Sequence, residues 1–228
     1  MCICIRKILI ILLVLSGLNC GLNAQQDKMK LVEISSNQVS DIIEISKIVE
    51  PYLYTTAIDL SGIDVKKKKQ AFINLMLPSI LIAKRELAKK RKTVYDLIQM
   101  KRELTKEEIN YLEELKEKYK CYKSSDLLSK LNTHPTSIVL AQAAIESGWG
   151  TSRFYKQANN LFGVWSYNDM EPRIKASEDR DGKAVYVKKY ASLSKSISSY
   201  FKTLARGPYS AFRYEREKTK DVFVLISK

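Results

Sequence analysis

The chain has 228 residues, 45% of them hydrophobic and 28% charged, with a formal net charge of +14. One histidine and four cysteines, three of the cysteines within the first 20 residues, exclude a Cys/His zinc cluster and leave His134 as the one imidazole open to a Ser-His-Asp or Cys-His enzyme. The charge points to anionic partners such as wall polymers or lipid surfaces, while the lack of a reading motif or groove-directed basic helix argues against nucleic acid.

Arg6 and Lys7 precede an apolar run over 8–15, and small or polar residues follow to Ala24. A basic start, a short apolar stretch and a small residue at the cleavage point predict a signal peptide over 1–24. The run is shorter than the roughly 20 apolar residues a transmembrane helix needs. Cleavage after Ala24 competes with lipid attachment at Cys20, which would add a membrane anchor. By either route the mature part is exported, to the periplasm or cell envelope, and without Arg6 and Lys7 it carries +12. Cys2, Cys4 and Cys20 fall in this region, so Cys121 stands alone and reads as a half-buried thiol.

Residues 25–60 form a polar, variable segment with a short helix over 41–49 before Pro51. Residues 61–132 read as a helical N-terminal part. A long pattern over 65–91 places Phe72, Leu75, Met76, Ile80, Leu81 and Leu87 on one face, and Pro78 inside it predicts a kink or break. Thr105 caps a second helix, with Glu107 and Glu108 in its first turn and Ile109, Leu112, Leu115 and Tyr119 at helical spacing. Ser124 or Ser125 caps a third over 127–131. The lysine runs at 66–69 and 89–92 lie on helical patterns and read as solvated faces.

Pro135 reads as a first helical residue, which makes His134 helix-start chemistry. The helix that follows runs into residues 141–154, Ala-Gln-Ala-Ala-Ile-Glu-Ser-Gly-Trp-Gly-Thr-Ser-Arg-Phe. An apolar helix ends here on Glu146 and breaks on Gly148 and Gly150. A carboxyl group so placed is expected to be partly desolvated, which raises its pKa toward the range a general acid needs. Trp149 and Phe154 offer flat apolar surfaces of the kind sugar rings stack on. The competing reading is a surface glutamate at an ordinary helix end with a glycine stop.

Asn159-Asn160-Leu161-Phe162-Gly163 reads as a turn. Strands over 164–167 and 184–190, with polar turn formers over 169–182 between them, predict a β-hairpin on a helical body. Ser192 or Ser194 starts another helix with Ile197, Tyr200, Phe201 and Leu204 on its apolar face, ended by Pro208.

Residues 141–154 and 159–163, followed by the hairpin and Lys189-Tyr190-Ala191-Ser192-Leu193, resemble the glucosaminidase domain of glycoside hydrolase family 73. Within it they are most similar to the bacterial Bax group, where a helix like 72–81 precedes the same catalytic-type helix. The resemblance runs from about 58 to about 212. It implies a mainly α fold with a small β-hairpin lobe (α+β, lysozyme-like), a glycan cleft between the two, and a catalytic part over 133–228. It also implies hydrolysis of β-1,4 bonds in peptidoglycan glycan strands by an endo-beta-N-acetylglucosaminidase type of enzyme, acting as a monomer with no metal or other cofactor. Glu146 matches the family's general acid, which protonates the leaving glycosidic oxygen.

Trp149, Asn160, Phe162, Trp165 and Tyr190 fall where substrate would bind, with core or loop packing as the competing reading. Candidates for a second carboxylate are Glu171, Glu178, Asp179 and Asp181, each of which also reads as solvated loop charge. An inverting enzyme needs that group about 6.5–9.5 Å from the acid and a retaining one about 5–5.5 Å, whereas a substrate-assisted enzyme uses the sugar's own N-acetyl oxygen. The family's last segment, with a Tyr-Ser or Tyr-Ala-Thr motif and a final helix, would begin where residues 222–228 stand, and Tyr209 and Tyr214 lack its context. The alternative expectation is therefore a catalytically weak or inactive peptidoglycan-binding relic of the same fold.

Overall fold

The structure is a computed structural model in which residues 30–179 and 182–227 are described. The expected signal segment, Cys20 and Asp181 lie outside the described residues. Residues Leu31–Lys228 form one compact unit. It is mainly helical with two small sheets, as the sequence predicts.

The central element is α1 (Val65–Ile98), capped by Asp64, whose side chain accepts from the backbone N–H of Lys66 and Lys67. Phe72, Leu75, Met76, Ile80, Ala83, Leu87 and Val94 form its buried stripe. The helix neither breaks at Pro78 nor ends at 91. Pro78 is itself buried, and Ser79 Oγ donates to the Leu75 carbonyl one turn back, so tertiary packing of the stripe overrides the lost backbone bond. α2 (Lys106–Tyr119) starts on a full capping box between Thr105 and Glu108. α3 (Ser124–Lys130) begins one residue earlier than a serine cap would allow, with Lys123 at the cap.

α4 (Thr136–Glu146) packs on α1, tied there by a 3.0 Å bond from Lys84 Nζ to Thr136 Oγ1. α5 (Arg153–Ala158), capped by Ser152, occupies a stretch for which the sequence reading assigns no element. α6 (Leu193–Arg206), capped by Ser192, buries Ile197, Tyr200, Phe201 and Leu204 against α1. α7 (Ser210–Lys218) and α8 (Val222–Ile226) follow, joined through Phe212, Leu225 and Ile138 in a small satellite core.

The N-terminal segment departs most from expectation. No helix forms over 41–49, where β-branched residues crowd a helical backbone. Instead β1 (Val32–Ile34) pairs in parallel with β2 (Tyr52–Tyr54), and Tyr54, Ala57, Ile58 and Leu60 enter the main core. The predicted hairpin is a three-stranded antiparallel sheet. β3 (Trp165–Ser166) and β4 (Arg173–Lys175) flank β5 (Tyr186–Lys188), so a third strand occupies part of the stretch read as turn. Among the described residues, no helix is long and apolar enough to cross a membrane.

His134 is not merely a helix start. It is 2% exposed, its ring lies 5.4 Å from Phe201 and 4.9 Å from Phe212, and Arg216 Nη1 reaches its Nδ1 at 3.2 Å. Burial, reinforced by the charges of Arg216 and Lys84, pushes it down to about 3, so it stays neutral and its Nδ1 accepts a hydrogen bond from Arg216 Nη1. Cys121 is half-buried, as expected, and burial pushes its thiol up.

Candidate active site

The site begins at the end of α4. Gln142 and Glu146, four residues apart, share its exposed face, while Val139, Ala143 and Ala144 are buried on the opposite side. The helix stops because Ser147 Oγ donates to the Ala143 carbonyl at 2.6 Å and accepts from Gly150 N at 3.1 Å. Gly148, Trp149 and Gly150 then lie in the left-handed region, at φ 58°, 56° and 78°. A Cβ at Gly150 would meet Leu60 Cδ1 at 3.0 Å, and the Gly150 carbonyl accepts from Leu60 N at 3.2 Å. The segment at 55–60 clasps the same region again. Tyr155 Oη donates to the Ile58 carbonyl at 3.1 Å, and Asn159 Nδ2 donates to the Thr55 carbonyl at 2.8 Å.

Glu146 borders a pocket of about 220 Å³ shared with Gln142, Phe162, Val164, Tyr200, Thr203, Leu204 and Tyr209. Phe162 and Tyr200 stack at 4.3 Å with an interplanar angle of 15°, and Tyr200 Oη donates to Gln142 Oε1. Burial, then the neighbouring Tyr209, holds the Tyr200 phenol well above its usual range, so it remains a donor. Glu146 itself is exposed, and the desolvation expected of it from sequence is not present here. The pocket continues toward α8 along Ile138, Phe212 and Leu225.

Of the residues expected to meet substrate, only Phe162 shares this pocket with Glu146. Trp149 packs edge-on against Phe72 at 5.6 Å with Lys69 Nζ 5.4 Å above its ring, pinning the loop to α1. Asn160 is 1% exposed. Its amide donates to the Val164 and Lys188 carbonyls at 3.0 and 2.9 Å and its oxygen accepts from Val164 N at 3.0 Å, which staples the turn to the sheet. Trp165 pairs with Val187 in the sheet, and Tyr190 Oη donates to Ser199 Oγ at 2.9 Å.

Among the carboxylates, Glu171 accepts from Lys188 at 2.6 Å and from Ser166 at 2.7 Å. Burial acts to raise its pKa, but those bonds and the charges of Lys188 and Lys202 outweigh it and leave the group below its ordinary value. Asp179 pairs with Lys175 at 3.0 Å, and Glu178 is exposed with no ion pair among the described residues. Sequence reasoning missed Gln142, although it lies one helical turn before Glu146. It also read Tyr200 as core and set Tyr209 aside, because both reach the pocket only through the docking of α6.

Residues 121–226, which span this site, match the family described as glucosaminidase, mannosyl-glycoprotein endo-beta-N-acetylglucosaminidase. The match covers a little under half of the chain, its C-terminal part, which is similar to that family. The chain is 37% identical over 95 residues to Protein bax of Escherichia coli, covering 41% of this chain and 32% of that protein. It is 34% identical over 76 residues to the exo-glucosaminidase LytG of Bacillus subtilis, covering 31% of this chain and 27% of that protein. It is 33% identical over 95 residues to the peptidoglycan hydrolase FlgJ of Escherichia coli O157:H7, covering 37% of this chain and 30% of that protein. The matches thus span about a third of the length of these relatives. The family match begins at 121, well after the start of the resemblance expected from sequence, and leaves out α1 and α2.

Proposed function

We propose that this protein is an exported glycoside hydrolase that cleaves β-1,4 bonds of peptidoglycan glycan strands, with Glu146 as the general acid. The observation that carries the reading is the position of Glu146 in the stretch similar to the glucosaminidase family, at the mouth of a pocket walled by the Phe162–Tyr200 stack. An exposed carboxylic acid beside flat apolar rings can approach a glycosidic oxygen once a sugar covers it, and that sugar supplies the desolvation the free site lacks. Names of relatives, an exo-glucosaminidase and a peptidoglycan hydrolase, support the same substrate class.

Glu178 is our choice for the second carboxylate. Lys188 and Lys175 already engage Glu171 and Asp179, whereas Glu178, on the connection between β4 and β5, has no ion pair among the described residues. The test is muropeptide release from purified cell wall. Glu146→Gln is expected to lower release by about 10²–10⁴-fold at unchanged folding. Release equal to wild type would sink the role of Glu146, and binding without release by wild type would favour the relic. Loss of release in Glu178→Gln supports its role, whereas full release transfers that role to the substrate's N-acetyl group.

A further inference from the structure

A second cavity, of about 360 Å³, opens where α1, α2, α6 and the three-stranded sheet meet. It shares no lining residue with the Glu146 pocket. Six lysines line it: Lys90 from α1, Lys118 from α2, Lys188 and Lys189 at the end of β5, and Lys195 and Lys202 from α6. Among the described residues two glutamates in the lining answer them. Glu86 pairs with Lys195 at 3.0 Å and Glu171 with Lys188 at 2.6 Å. Lys90, Lys118, Lys189 and Lys202 have no ion pair among the described residues.

Like charges converging on one concave surface repel, and the repulsion is felt. Burial first, then neighbouring ammonium groups, pushes Lys90 and Lys202 below the ordinary lysine value. At the same wall, Ser198 Oγ is buried with no hydrogen-bond partner among the described residues. Ser199 Oγ accepts from Tyr190 and keeps its own proton to donate. Among the described residues the cavity therefore presents a surplus of four positive charges and two hydroxyl donors without an acceptor.

The type of cation narrows the ligand. Among the described residues no arginine lines the cavity, and so none offers the planar fork that grips a carboxylate. Converging ammonium point charges with hydroxyl donors suit a tetrahedral anion instead. Because α1 and α2 lie before residue 121, two of the walls fall outside the family-matched stretch. We infer that this cavity binds a phosphate group, either free or carried on a lipid headgroup.

The test uses the full chain without cell wall, so its failure is read independently of any hydrolysis. Inorganic phosphate and pyrophosphate are titrated calorimetrically at constant ionic strength in chloride. Saturable binding is expected, weakened at least about tenfold in Lys90→Gln/Lys202→Gln and changed less than about twofold in Lys66→Gln/Lys67→Gln, a control in the first turn of α1. Lys118→Gln alone, expected to weaken binding less, keeps the test open if the double variant does not fold. Sedimentation with phosphatidylglycerol against phosphatidylcholine vesicles separates the sources. Recruitment that is specific to phosphatidylglycerol and depends on the cavity lysines assigns the headgroup, and phosphate binding without it assigns the free ion. No saturable binding to any of these probes, or equal weakening in the cavity and control variants, overturns the inference.

Discussion

α6 borders two pockets built on different terms. Toward Glu146, the walls are set by backbone: three consecutive left-handed residues, a serine that satisfies both sides of a helix end, and an asparagine amide bonded to β5 and to the residue before β3. Along another face of the same helix, the cavity is lined by the ends of long lysine side chains from four elements. The first arrangement fixes where one carboxyl group stands to within a rotamer. The second accumulates charge without fixing any one atom tightly. Acid catalysis depends on geometry at the ångström scale, while anion attraction tolerates looser placement.

The contrast can be broken by loosening the backbone-held side. Gly150→Ala forces a Cβ into Leu60 at φ 78°, and is expected to lower unfolding stability by about 2–4 kcal/mol in a denaturant melt and to reduce wall hydrolysis with it. An unchanged midpoint would mean the loop yields easily and the contrast is false. A smaller loss is expected for Asn160→Ala, which removes three buried hydrogen bonds and should cost about 2–3 kcal/mol by the same assay, with phosphate binding unaltered.

The start of α4 provides the smallest test. His134 titrates at about 3 when folded and near 6.5 when unfolded, so the unfolded chain binds the extra proton between those values. Stability is therefore full above about pH 6.5 and declines as pH falls toward 3, by up to about 1.4 kcal/mol per pH unit. Melts of wild type and His134→Gln at pH 7 and pH 5 should differ in slope by about this amount, and parallel slopes would refute it.

Local signals were the legible ones. The Thr105 cap, the start of α6 at Ser192 (read as Ser192 or Ser194) with its apolar face, and the Glu146 helix end with its glycines each depend on neighbours within a turn or two, and each is found in the structure. What was not legible depends on distant partners. β1 and β2 are three residues each, and their parallel pairing joins residues 20 apart, a pattern no local alternation announces. β4 has a single apolar residue, Ile174, to mark it. Trp149 and Asn160 were expected to meet substrate; the ring packs on Phe72 of α1 and the amide bonds to β5, contacts with partners far along the chain. The lysine run at 89–92 shows the limit most clearly. Lys92 pairs with Asp96 on the surface as a solvated face would, while Lys90 turns into the cavity beside lysines from α2, α6 and β5.

The clasp between the 55–60 segment and the glycine loop has a kinetic consequence. Its bonds join residues as far as 97 and 104 positions apart, which makes them among the costliest contacts to close during folding. The loop that follows Glu146 at the end of α4 is therefore expected to be completed late, after the N-terminal chain has docked. A partly folded molecule would have its helices before Glu146 is oriented, so the hydrolysis proposed for it would appear only with the finished fold.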